Sequence, residues 1–251
     1  MDNYYKRKVE LELAIWQRKM VKRPSLAGKL SKSMQDRINR IIPAKVHKGI
    51  SAAIKQMVRA VLFGSSYTLP KKINFSSIQE TEDGVLKKIE NYKKTAAVEG
   101  GITGAGGILL GFVDFPVLLG IKIKLLYDIA AMYGFDVADY KERVYLLNIF
   151  QLAFSSQKHR RLIYSRIENW DEQKNNLPED IHSFDWQSFQ QEYRDHIDLA
   201  KMAQLIPGIG AVVGVVVNYQ LIRTLGTTAM NAYRMRLISK SPEAQLPAAT
   251  E

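Results

Sequence analysis

The chain has 251 residues, 46% of them hydrophobic and 24% charged, with no cysteine and a formal net charge of +11. The hydrophobic share suffices for a buried core and excludes a globally disordered chain. The lack of cysteine excludes disulfides, thiolate metal sites and cysteine nucleophiles, and fits a reducing, cytoplasmic compartment.

The charge is unevenly placed. Residues 1–60 hold 15 Lys and Arg against Asp2, Glu10, Glu12 and Asp36, so the whole excess of +11 lies in the first quarter. Such a surface suits anionic lipid or an acidic partner. Residues 168–198 carry nine acids against only Lys174 and Arg194, and are a candidate for receiving part of that basic arm. Met1 to Lys8 are followed by no uninterrupted apolar run, so no secretory signal is expected.

Taken in order, residues 3–22 place Tyr5, Val9, Leu13, Trp16 and Met20 on one face of a helix, with charges on the other. Pro24 and Pro43 interrupt, and a further helix carries Ile50, Ile54, Met57 and Val61 on one stripe, flanked by Lys48, Lys55 and Arg59. These helices define a basic amphipathic arm over 1–64. Lys6, Arg7, Trp16, Arg18, Lys19, Lys22 and Arg23 are its candidate membrane-surface residues, because cations gain at an anionic leaflet and aromatic rings favour the interface. A solvated charged face on ordinary core helices is the alternative.

Residues 65–77 read as a polar linker and domain boundary. Thr81-Glu82-Asp83-Gly84 reads as a helix start, capped by Thr or Asp. Gly100, Gly104, Gly107 and Gly111 then fall at steps of 4, 3 and 4, a smooth strip along which a second helix can lie close. Asp114-Phe115-Pro116 is expected to turn the chain, Asp114 capping the next helix and Pro116 in its first turn. That helix should end at Gly134.

Helix is expected over 137–167, a loop or mobile arm over 170–185, and helix again from about Trp186. Pro207, Gly210 and Gly214 form a second glycine-rich hairpin signal, followed by Asn218 and a final helix to about Ser239. Arg234, Arg236 and Lys240 near its end suit the negative end of the helix dipole. Residues 241–251 are expected to be a disordered tail. No alternating strand pattern of useful length appears, so the fold class is all-α: a domain over 78–240 built around two glycine-rich apolar hairpins.

The search for chemistry returns little. His47, His159, His182 and His196 fall in no metal-ligand spacing. There is no Walker A sequence and no Gly-x-Ser-x-Gly elbow. Gly208-x-Gly210-x-x-x-Gly214 departs from the dinucleotide fingerprint and follows no strand. No metal or cofactor is therefore expected, nor nucleic acid, since no recognition motif accompanies the basic charge. Asp114 stands in an apolar context and, with Asp128 and Asp136, is a weak catalytic candidate should the hairpin bring the three together. Both apolar glycine runs are interrupted by polar or charged residues short of a clean span of about 20 residues. Buried hairpins are preferred over membrane-spanning glycine-zipper helices, and extraction behaviour separates the two.

Gly100 to Ile108, Asp114-Phe-Pro-Val-Leu118, Leu126-Tyr-Asp-Ile-Ala-Ala-Met-Tyr133-Gly134-Phe-Asp136 and Leu205 to Gly214 with Asn218-Tyr219 resemble the EcsC family of bacterial proteins. So do Ala229-Met230 and Tyr233-Arg234. The resemblance covers most of the chain and transfers no catalytic motif. It implies a context: EcsC is associated by name with an ABC-type transporter linked to protein export. The expectation is an accessory or regulatory protein, peripheral to the cytoplasmic membrane face, with anionic lipid and subunits of such a transporter as partners. The competing expectations are a hydrolase-like enzyme acting on lipid or peptide, and an integral membrane protein.

Overall fold

A computed structural model describes residues 3–22, 44–63, 69–73, 75–103, 107–197 and 214–239. Among these the chain is helical: α1 Asn3–Val21, α2 Ala44–Phe63, α3 Ile78–Thr103, α4 Gly107–Met132, α5 Tyr140–Phe154, α6 Gln157–Glu168, the short α7 Trp170–Gln173, α8 Trp186–His196 and α9 Gly214–Ser239. The only strand-like feature among them is an isolated bridge between Ser155 and Ile197. The all-α expectation holds.

The core is organised around α5 and α9. Thirteen of the residues in α5 are buried, Tyr145, Leu147, Ile149 and Phe150 completely, and Glu142, Arg143, Asn148 and Gln151 are the polar ones among them; a helix buried nearly all round belongs at the centre of a bundle. Asp139 caps its start by accepting from the Lys141 amide at 2.9 Å, and Ser155-Ser156 separates it from α6. Helix α9 packs most extensively on α3 and also touches α4, α5, α6 and α1. A Cβ on Gly226 would lie 2.6 Å from Ile89 Cδ1, so the α3–α9 approach requires the absent side chain there.

The turn expected at Asp114-Phe115-Pro116 does not form. Helix α4 runs unbroken from Gly107 through Asp114 and Pro116 to Met132, so Asp114 is no N-cap and Pro116 occupies the helix interior. Interior proline removes one backbone hydrogen bond and normally costs ~3 kcal/mol. The immediate burial of Leu118 and Leu119 beyond it shows what tertiary packing recovers. The packed pair is α3 and α4. Gly100 therefore belongs to α3, and Gly107 and Gly111 to α4. The expected row of four glycines on one helix face is split between two helices. Gly104, Pro207, Gly210, Arg23 and the tail 241–251 lie outside the described residues.

Gly134 ends α4 as expected. Its φ is +81°, and the amides of Gly134 and Phe135 donate to Ala131 and Ala130 oxygens at 3.0 Å each. This is the paired Schellman closure that glycine permits. Helix α3 starts at Ile78, earlier than Thr81: the Glu80 amide donates to Ser77 Oγ while the Glu80 carboxylate accepts from the Ser76 amide, both 3.2 Å. Ser77-x-x-Glu80 is a capping-box pattern.

The proposed arm over 1–64 is not a separate packing unit. Leu13 and Trp16 of α1, and Ile50, Ile54, Val58 and Leu62 of α2, belong to the same buried cluster as the residues of α4, α5 and α9. The 69–77 connection is pinned too, the Ile73 amide donating to the Ala131 oxygen at 2.9 Å. Nor is 170–185 a free arm. Trp170 and Phe184 are buried, and the Tyr140 hydroxyl donates to the Pro178 carbonyl. Its described ion pairs join Glu179 to Lys141 and Asp171 to Lys174, rather than to α1 or α2.

Candidate functional site

Two features stand out: a buried charge network beneath α1 and a cationic face on the outside of the same helix.

Arg234 of α9 is inserted between helices. Its Nε and Nη2 donate to the two Glu82 oxygens at 2.7 and 2.6 Å, a bidentate pair with both side chains buried. A third donor reaches Glu12 of α1 at 3.0 Å. The Tyr5 hydroxyl donates to Glu82 at 2.8 Å, and that of Tyr133 approaches it at 3.4 Å. Burial alone would lower the Arg234 pKa, but hydrogen bonding and attraction from Glu82 raise it overall, so it stays charged.

Two residues on, Arg236 donates to both Glu142 oxygens at 2.9 and 2.8 Å, and the Tyr233 hydroxyl donates to Glu142 at 2.8 Å. The Arg236 guanidinium lies 4.0 Å from the Phe135 ring centre and 4.6 Å from that of Tyr145. Burial pushes the Glu142 carboxyl above its ordinary range against the opposing pull of Arg236. Both arginines lie near the end of α9, Arg236 in its last turn, and both are paired with buried carboxylates. Glu82 and Glu142 carried no signal in the sequence beyond being acids in amphipathic helices.

A third buried arginine, Arg143, closes the end of α2. It donates to the carbonyls of Leu62, Val137 and Ala138 at 2.9, 3.1 and 2.8 Å. These arrangements hold helices together, and none leaves a carboxylate open to a substrate.

The three candidate acids do not converge. Asp114 and Asp128 lie on one continuous helix, about 21 Å apart along its axis at 1.5 Å per residue. Asp128 is buried, accepting from the Tyr92 hydroxyl at 2.9 Å and pairing with Lys88 at 3.3 Å. Asp136 lies in the turn after Gly134 and accepts from the Ala138 amide at 2.8 Å. Among the described residues no three His, Cys, Asp or Glu side chains come together as a metal-ligand group.

The outward face of α1 differs. Trp16, expected at a membrane surface, is instead 8% exposed and meets Tyr164 edge to face at 5.7 Å. Val9 and Leu13 are buried beside it. On the opposite face Tyr4, Leu11 and Ile15 are 77, 63 and 45% exposed. Arg7, Lys8, Arg18, Lys19 and Lys22 are exposed around them, whereas Lys6 is half-buried. The steps 4, 8, 11, 15, 19, 22 follow a single helix stripe. A narrow apolar line bordered by cations is thus presented to solvent. Of the two acids that adjoin Leu11, Glu12 has turned to Arg234 at 3.0 Å and Glu10 is exposed, set against the five exposed cations of the helix.

Among the described residues no helix is long and apolar enough to cross a membrane. The molecule is an all-helical bundle with buried arginine–glutamate pairs. The chain belongs to the EcsC protein family, whose model matches residues 7–238. It is 43% identical to Protein EcsC of Bacillus subtilis over 227 residues, covering 90% of this chain and 93% of the relative. It is also similar to YdbA of the same organism, an uncharacterised protein, at 27% identity over 84% of this chain and 85% of the relative. No solved structure matches it.

Proposed function

We propose that the protein is a non-enzymatic accessory protein that binds the cytoplasmic membrane face through the outward side of α1, and acts there beside an ABC-type transporter. The observation that carries this reading is the exposed Leu11–Ile15 line between Arg7, Lys8, Arg18, Lys19 and Lys22. Each cation near an anionic leaflet contributes about 1 kcal/mol, and exposed Leu and Ile between them enter the acyl boundary as interfacial helices do. An acidic protein would answer the cations equally well but gives no role to Leu11 and Ile15. The transporter part of the reading rests on family membership.

Membranes isolated at low ionic strength should carry the protein and lose it in a high-salt wash, because screening shortens the reach of surface charges. A protein that stays in the soluble fraction at low salt, or that only detergent releases, contradicts the reading.

A further inference from the structure

Tyr140, Val144, Asn148, Gln151 and Ser155 fall at steps of 4, 4, 3 and 4, one stripe along α5 and the residue that follows it. This stripe faces α8. At one end the rings of Tyr140 and Phe184 lie 6.2 Å apart, further on Gln151 Nε2 donates to the Tyr193 carbonyl at 3.2 Å, and at the other end Ser155 is bridged to Ile197. The paired numbers rise together, so the two helices run in the same direction. Helical side chains lean toward the N-terminus, which carries the Tyr193 ring from the level of Gln151 back toward that of Asn148. Phe189, one turn earlier, meets it there with ring centres 5.7 Å apart.

Asn148, Gln151 and Tyr193 are 3, 1 and 1% exposed. Each holds a buried polar atom with no hydrogen-bond partner among the described residues: Asn148 Oδ1, Gln151 Oε1 and Tyr193 Oη. The two amide nitrogens are occupied, since Asn148 Nδ2 donates to the Val144 carbonyl at 3.0 Å and Gln151 Nε2 to that of Tyr193. Only the nitrogen of a carboxamide donates, so these bonds fix both oxygens as the open ends.

Two acceptors and one hydroxyl therefore remain between α5 and α8. The carboxamide oxygens do not bond each other, and the hydroxyl has a single proton, so the trio cannot satisfy itself. Leaving such groups unmade costs more than a hydrogen bond returns. A water molecule has the matching complement, two donors and an acceptor, and buried waters typically make about three such bonds. A divalent cation requires more oxygens than these and favours carboxylates among them, and none of the three groups is charged.

We propose that one water molecule is bound at this site, donating to Asn148 Oδ1 and Gln151 Oε1 and accepting from the Tyr193 hydroxyl, and that it joins α8 to α5.

The test is a high-resolution crystal structure of the full chain together with thermal unfolding of Tyr193→Phe. An isolated density peak is expected within hydrogen-bond distance, about 2.6–3.2 Å, of all three atoms. The substitution gives a second readout whose sign depends on the water. With the water bound, removing the hydroxyl removes a hydrogen bond, and Tm should fall by about 2–4 °C. With the hydroxyl unpartnered, the same change removes a buried polar group, and Tm should stay level or rise. Absence of the density peak, a peak refining as a metal ion, direct protein partners for the three atoms, or a Tyr193→Phe protein with Tm at or above wild type overturns the proposal.

Discussion

The arginines of α9 and the cations of α1 are used in opposite ways. Arg234 and Arg236 are buried, and each meets a dedicated carboxylate through two hydrogen bonds. Arg7, Lys8, Arg18 and Lys19 lie in solvent beside exposed Leu11 and Ile15. One set locks helices together and the other leaves its charge available. A basic residue count does not distinguish them; only the location of the opposing acid does. The comparison also assigns opposite consequences to substitution, large losses of stability inside and losses of surface binding outside.

The largest effect is expected at the buried pair. Glu82→Ala leaves the Arg234 guanidinium buried without its bidentate partner and should cost about 3–5 kcal/mol, read as a lower midpoint in urea unfolding. This is a large part of the ~5–15 kcal/mol available to a typical domain. A loss under ~1 kcal/mol would remove the distinction between the two sets of cations.

Next comes Gly226→Ala. The added methyl meets Ile89 Cγ1 and Cδ1 at 2.7 and 2.6 Å, and such overpacking costs about 1–3 kcal/mol. The gain in helix propensity, up to about 1 kcal/mol, offsets only part of it. Unfolding midpoints should place the variant below wild type.

Alkaline pH acts on the interior as a whole. Burial raises the pKa of Tyr133, Tyr145, Tyr193 and Tyr233 above the ordinary value of 10.0. Between that value and the raised ones the folded chain holds protons that the unfolded chain has lost. Stability is therefore fully present below about pH 10 and falls as pH rises beyond it. Tyrosinate absorbance should rise together with loss of helical circular dichroism. Ionisation of these tyrosines while the helices persist would contradict their burial.

The smallest effect on stability belongs to the outside. Leu11→Gln with Ile15→Gln should change unfolding free energy by no more than about 0.5 kcal/mol per site, because neither side chain is part of the core.

What the sequence revealed and what it hid follow the same division. Periodicity located the buried stripe of α1 correctly, through Val9, Leu13 and Trp16. Gly134 was legible because a positive φ at a helix end has few alternatives to glycine. Asp114-Phe115-Pro116 misled, since a local cap-and-proline pattern cannot register packing that carries a helix through it. The Glu82–Arg234 pair joins residues 152 positions apart, which no window of local spacing can detect. Residue type alone favours Trp16 at a surface, whereas the structure buries it and exposes Leu11 and Ile15 on the complementary stripe of the same helix.

The central claim, that α1 turns a working membrane-binding face outward while its other face holds the fold, is tested most directly by sedimentation with lipid vesicles. Wild-type protein and the Leu11→Gln, Ile15→Gln variant should be compared on phosphatidylglycerol and on phosphatidylcholine vesicles at low and high salt. The account predicts that wild type pellets with anionic vesicles at low salt only, and that the variant, folded with wild-type Tm, binds them about tenfold or more weakly. Equal binding by the two proteins, or no preference for the anionic surface, would contradict it.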